Sequence, residues 1–229
     1  MTNPQKLRIL CLHGYTQNAK IFRGRTAVIA KDLKDIAEFV YVSAPHKLPD
    51  KEDITEAEKL KRDPNDEGPR AWYKTEQDQQ VYIGYDESLA YLQRFYSENG
   101  PFDALLGFSQ GATLSALLTS TLPTLSLPLP RFLLLSGGYL PSPTPTHSVL
   151  TPTNKLTIPS LHVIGREDKW VLPERSEALL ECFEERGREV HYHEGGHFLP
   201  TGAENRRKYR EWVAGFLKVD GEGVVEAQK

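Results

Sequence analysis

Three residue types that together can run nucleophilic chemistry occur in this chain with suggestive neighbours. The segment Gly107-Phe108-Ser109-Gln110-Gly111 sets a serine between two glycines. At average glycine content, two glycines flank a given serine roughly once in two hundred cases, so the motif nominates Ser109 and its context must decide. An apolar run over Asp103–Phe108 precedes it, and a small-residue apolar stretch follows from Gln110. A sharp strand-to-helix turn there would expose the serine oxygen, with glycines leaving room for the turn and for close strand–helix approach. The Gln110 main-chain N–H, at the helix start, would then face a developing oxyanion, assisted by the positive helix terminus. A plain glycine-serine turn is the competing reading of these five residues taken alone.

A serine hydroxyl is a weak nucleophile near neutral pH and needs a base. His197 in "HEGGHFLP" is the preferred one, because it follows an expected strand and Gly195-Gly196 permit a sharp loop before it. His191 and His193 lie two apart and share one strand face, which suits solvent or packing roles. His13 and His162 read as structural, and His46 and His147 fall in loops. The imidazole needs a group to orient it and to stabilise its charged form. Asp168, in Gly165-Arg166-Glu167-Asp168, lies just past a strand, between serine and histidine in chain order. Glu167 is its rival, a turn carboxylate facing water is the bland alternative, and Asp103 falls before the serine. The order Ser109, Asp168, His197 is that of an α/β-hydrolase triad. Tyr15, at the end of the first strand, offers a second oxyanion donor through its main-chain N–H. Metal use of His191-x-His193-x-x-x-His197 finds no accompanying Cys or His cluster of zinc type, so the expectation is no metal. Dinucleotide and phosphate-loop glycine signatures are missing too, and no organic cofactor is expected.

The elements that must position these groups alternate. Short apolar strands are expected at 7–12, 39–42, 103–108, 131–135, 160–164 and 189–193. Helices are expected from an Asn18 cap to about Asp35, over Val81 to about Tyr96, Gln110–Thr119, Pro173–Arg186 and Ala203–Leu217. This alternation argues for a mostly parallel six-stranded sheet with helices on both faces. In such sheets ligands sit beyond the carboxyl ends of strands, where His13-Gly14-Tyr15, Ser109, Ser136-Gly137-Gly138, Asp168 and His197 all fall. Two stretches break the rhythm and read as insert or lid-like connections, near 43–80 and 137–159. The most polar part of the first, "EDITEAEKLKRDPNDEGPR", suits either a short helix or partial disorder. A single domain over 1–217 and a fraying tail over 218–229 are expected.

At 229 residues with 39% hydrophobic and 26% charged content, the chain suits one large soluble domain. A net charge of −3 gives no broad basic footprint, so no nucleic-acid partner is expected. Arg206, Arg207, Lys208 and Arg210 cluster, but on a helix they read as a solvated face. No signal-peptide layout opens the chain, no apolar segment is long enough to span a membrane, and the two cysteines do not form a disulfide framework. A cytoplasmic location follows as the expectation.

The segments "LRILCLHGYTQN", "RAWY", "GPFDALLGFSQGA", "LPRFLLLSGG", "IPSLHVIGREDKWVLP" and "GGHFLP", in that order, resemble the FSH family of serine hydrolases, especially its ovarian-cancer-associated type. The resemblance implies a compact α/β-hydrolase fold, a triad of Ser109, Asp168 and His197, and oxyanion amides at Tyr15 and Gln110. It also implies carboxylesterase or thioesterase activity. Tyr73 departs from a motif whose second aromatic is often Trp. The expected reaction is hydrolysis of a carboxylic ester or thioester through an acyl-serine. Trp72, Phe108, Trp170, Val171 and Phe198 are candidates for an apolar acyl site, and each equally suits the core. An acyltransferase using the same triad, and a non-catalytic ligand-binding protein on a hydrolase shell, are the alternatives. Sequence leaves the oligomeric state open.

Overall fold

A computed structural model describes residues 6–49, 67–76, 81–141 and 150–217. Most of the polar stretch "EDITEAEKLKRDPNDEGPR", part of the Pro/Thr connection with His147, and the tail lie outside the described residues.

The central sheet has six strands: β1 (Leu7–Leu12), β2 (Ala37–Val42), β7 (Ala104–Phe108), β8 (Phe132–Ser136), β9 (Ser160–Gly165) and β10 (Arg188–His193). Their spatial order is β10-β9-β8-β7-β1-β2, and every pairing is parallel. Parallel strands covered on both faces are near-continuous apolar runs, which is why "LRILCL" and "FLLLS" read so clearly. Alternate residues feed two cores. Leu10, Leu12, Leu105, Leu133 and Leu135 face one side, while Ile9, Cys11, Leu106, Phe108, Leu134 and Val163 face the other. The first core packs beneath α2 (Tyr85–Asn99), α3 (Gln110–Thr121) and α4 (Pro173–Leu180), the second beneath α1 (Ala19–Asp32) and α5 (Ala203–Ala214). The fold is the expected doubly covered α/β-hydrolase sheet.

From β1 the chain runs outward to β2, then returns past β1 to β7 and continues outward the other way. The gap between the carboxyl ends of β1 and β7 is therefore the topological switch point, where such sheets bind ligands.

Two small antiparallel ladders decorate this body. β3 (His46–Lys47) pairs with β4 (Arg70–Ala71), and β5 (Lys74–Glu76) pairs with β6 (Val81–Ile83). The helix expected to begin at Val81 thus begins at Tyr85 instead. Val81-Tyr82-Ile83 has strand chemistry and a local partner, and Gly84 at φ +82° redirects the chain. The described part of the first connection does not stand off as a cover: Ala44, Trp72 and Tyr73 belong to the first core. α4 also stops short, at Leu180 rather than Arg186, because Cys182 and Phe183 turn inward and are fully buried. The Arg188 guanidinium collects the carbonyls of Leu180 and Phe183 at 2.8 and 3.2 Å.

The basic cluster on α5 is paired: Arg206 with Asp32, Arg207 with Glu211, Lys208 with Glu189 and Arg210 with Asp35.

Candidate active site

Ser109 directly follows β7 and caps the start of α3 with φ +55° and ψ −120°. A non-glycine residue with positive φ costs on the order of 1–3 kcal/mol, and such strain clusters at functional sites. Its flanking glycines make the turn physically possible. A Cβ at Gly107 would meet Ala112 Cα at 2.4 Å, and one at Gly111 would meet the Leu12 carbonyl oxygen at 2.1 Å. Both contacts are with backbone, which cannot swing aside, so α3 can approach the sheet only over glycine.

The loops after β9 and β10 are stitched together. Arg166 N–H donates to the His193 carbonyl at 2.8 Å, and Glu167 N–H donates to the Gly195 carbonyl at 3.1 Å. This seam carries Asp168 to His197. Asp168 Oδ2 lies 2.6 Å from His197 Nδ1, and His197 Nε2 lies 2.9 Å from Ser109 Oγ. The other Asp168 oxygen accepts the main-chain N–H groups of Trp170 and Val171, both at 2.9 Å. A buried carboxylate with both oxygens bonded in this way is fixed in orientation. The Phe108 ring lies 4.9 Å from the imidazole centroid and tilts 38° against it. The rival carboxylates are elsewhere. Glu167 faces solvent, and Asp103 sits at the opposite end of the sheet, accepting Arg8 N–H at 2.8 Å.

Tyr15 and Gln110 flank the switch point from β1 and α3. Among the described residues, neither main-chain N–H has a protein partner. Two free donors there are what an oxyanion requires.

The five candidates for the acyl site divide. Trp170 is 82% exposed and Phe198 49%. Phe108 is buried beneath the imidazole. Val171 and Trp72 are placed in the interior, not on an open wall. Trp72 is fully buried because its polar atoms are consumed: its indole N–H donates to the His13 carbonyl at 2.8 Å, and its main-chain N–H donates to Gln110 Oε1 at 3.2 Å. The Gln110 side chain was missed as a functional group. Its signal was a long amide in the first turn of a helix otherwise built from small and apolar residues.

Four of the other described histidines have partners away from Ser109. His13 has both ring nitrogens on main chain, and desolvation pushes its pKa down to about 4. Burial pushes His162 down to about 3. His191 contacts Asn205 Oδ1 at 2.6 Å, and His193 Nδ1 accepts Gly195 N–H at 3.2 Å. Among the described residues no cluster of three His, Cys, Asp or Glu side chains is placed to hold a metal.

The model of the family described as "Serine hydrolase (FSH1)" matches residues 1–209. The chain belongs to this family. It is 36% identical to "Esterase C25G4.2" of Caenorhabditis elegans, covering 95% of this chain and 96% of that one. It is also 36% identical to "Esterase OVCA2" of Homo sapiens, over 95% of this chain and 100% of that one. Among solved structures, a carboxylesterase from Mesorhizobium loti shares the fold with a TM-score of 0.63 at 20% identity, covering 93% and 90% of the two chains. The FSH1-family chain is thus a serine hydrolase of esterase type, and no helix among its described residues is long and apolar enough to cross a membrane.

Proposed function

We propose that this enzyme hydrolyses carboxylic esters or thioesters of hydrophobic acyl groups through an acyl-serine intermediate. The carrying observation is the continuous hydrogen-bonded chain from Ser109 Oγ through the His197 ring to Asp168. Asp168 accepts Nδ1–H, which leaves the Nε2 lone pair facing the serine hydroxyl. As Oγ attacks the acyl carbon, its proton passes to Nε2, and the carbonyl oxygen becomes an anion facing the Tyr15 and Gln110 N–H groups. Collapse breaks the C–O or C–S bond, and His197 returns the proton to the leaving oxygen or sulfur. Water then repeats the sequence, with His197 as base, and releases the acid.

Trp170 and Phe198, two residues past Asp168 and directly after His197 in the chain, are exposed, and an apolar rim made by them supports the preference for hydrophobic acyl groups. We place the enzyme in the cytoplasm on the same footing, supported by two buried cysteines that are both free thiols. The test is turnover of acyl esters and thioesters, with fluorophosphonate labelling, by wild type beside Ser109→Ala. Labelling is expected to vanish and turnover to fall at least about a thousandfold. Unchanged turnover in the variant would remove Ser109 as nucleophile.

A further inference from the structure

The two proposed oxyanion donors belong to separate peptides on opposite sides of the switch point, and each peptide is pinned by its carbonyl. A trans peptide is planar, so fixing its C=O aims its N–H the opposite way. The Gly14 carbonyl, in the peptide that carries Tyr15 N–H, accepts His13 Nδ1–H at 2.8 Å and Gln17 N–H at 3.2 Å. The Ser109 carbonyl, in the peptide that carries Gln110 N–H, accepts Ala112 and Thr113 N–H at 2.9 and 3.1 Å. His13 is held in turn: Ala44 N–H donates to its Nε2 at 2.9 Å, which sets the tautomer with hydrogen on Nδ1.

What remains is the distance between the two peptides, and one segment spans it. The Trp72 indole N–H holds the His13 carbonyl on the β1 side. On the α3 side, the Gln110 side chain grips the same segment twice, accepting from Trp72 N–H and donating to the Tyr73 carbonyl at 2.8 Å. Ser88 Oγ–H holds the Trp72 carbonyl from α2. Trp72, His13 and Gln110 are all at least nine-tenths buried, so these bonds operate away from competing water.

We infer that Trp72 and the side-chain amide of Gln110 form a cross-brace that sets the spacing of the two oxyanion donors, making both side chains positioning groups for turnover. The inference rests on the acyl-serine reading above. A brace of this kind acts where negative charge develops and only weakly on ground-state binding, so its loss falls on kcat rather than KM.

Trp72→Phe keeps most of the ring volume and removes one N–H. Gln110→Met removes both amide contacts while leaving the main-chain N–H of residue 110 in place, so any loss reports position and not a missing donor. For each variant, kcat per folded molecule is expected to drop about ten- to a hundredfold, with KM within about threefold of wild type. Affinity for a trifluoromethyl ketone, which binds as an oxyanion, should fall by the same factor as kcat. A lowered melting temperature with kcat and ketone affinity intact in both variants would show a merely structural role and overturn the brace. A loss confined to KM would overturn it equally. Ser109→Ala run alongside separates the two levels: if it is inactive while the brace variants are unimpaired, only the brace fails, and if it retains turnover, the acyl-serine reading fails with it.

Discussion

His13 and His197 stand at strand ends on either side of Ser109, and their surroundings differ in kind. His13 is fully buried, with one ring nitrogen on the Gly14 carbonyl and the other on Ala44 N–H. His197 keeps 16% of its side chain exposed and has both nitrogens on side chains, a carboxylate and a hydroxyl. Main-chain partners cannot exchange a proton with an imidazole, so the first ring is a strut. Carboxylate and alcohol partners can, so the second ring is able to carry charge in transit. What separates the two histidines is the identity of their partners, more than their place in the topology.

The strongest way to break this comparison is to remove each ring in turn. His197→Ala is expected to lower kcat at least about a thousandfold while the melting temperature falls less than in a His13 variant, since the His197 side chain keeps 16% exposure and His13 keeps none. His13→Ala should instead cost roughly 3 kcal/mol of stability, because it opens a cavity and strands a buried N–H and a carbonyl. Circular-dichroism melts beside turnover per folded molecule read both effects. A His13 variant of unaltered stability would erase the distinction.

The same contrast shows where sequence reasoning reached and where it stopped. The four inner strands were legible because parallel strands buried on both faces are short apolar runs, and Ser109 and Asp168 each follow one. The edge strand before His197, REVHYH, is part-exposed and polar, and it was legible from Val190 and Tyr192 alternating with polar residues and from the glycines after it. The reading stopped where a role depends on what a side chain meets across the fold. Val81-Tyr82-Ile83 merges by apolar pattern into the helix after it, and only pairing with Lys74–Glu76 makes it a strand. The end of α4 depends on Phe183 turning into the core, an event governed by Leu156 and Arg188 rather than by local propensity. Trp72 is an aromatic that composition cannot aim, and the structure aims it inward at His13. The brace at Gln110 was hidden for the same reason, since its partners lie more than thirty positions upstream.

Acid sharpens the comparison without any substitution. His13 is held down to about 4 by desolvation, against a usual value of about 6.5 in the unfolded chain. Between those two values the unfolded state binds more protons, so stability falls as pH falls through this window and the loss is complete below about pH 4. At about 1.4 kcal/mol per pKa unit, His13 alone accounts for roughly 3 kcal/mol. His162, held down to about 3 beside Phe183 and Arg188, adds a loss of the same sign that extends lower. Urea midpoints measured from pH 7 to pH 4 are expected to fall steadily, and less steeply in His162→Phe. A flat profile over that range would mean that neither ring is sealed in the way their hydrogen bonds imply.

The smallest expected effect tests the open side. Trp170 gives its main-chain N–H to Asp168, but its side chain is 82% exposed, so the fold gains little from the indole. If acyl chains lie against it, covering about 40 Å² of ring surface contributes about 1 kcal/mol at roughly 25 cal/mol per Å². That corresponds to about a fivefold change in an equilibrium constant. Trp170→Ala should therefore raise KM by about that factor for long-chain esters and leave acetyl esters, kcat and the melting temperature unchanged. The chain-length dependence is the discriminating readout, since a disturbed Asp168 loop would depress kcat for every ester alike. An equal loss across chain lengths would move Trp170 from the acyl rim to the scaffold of the acid–base pair.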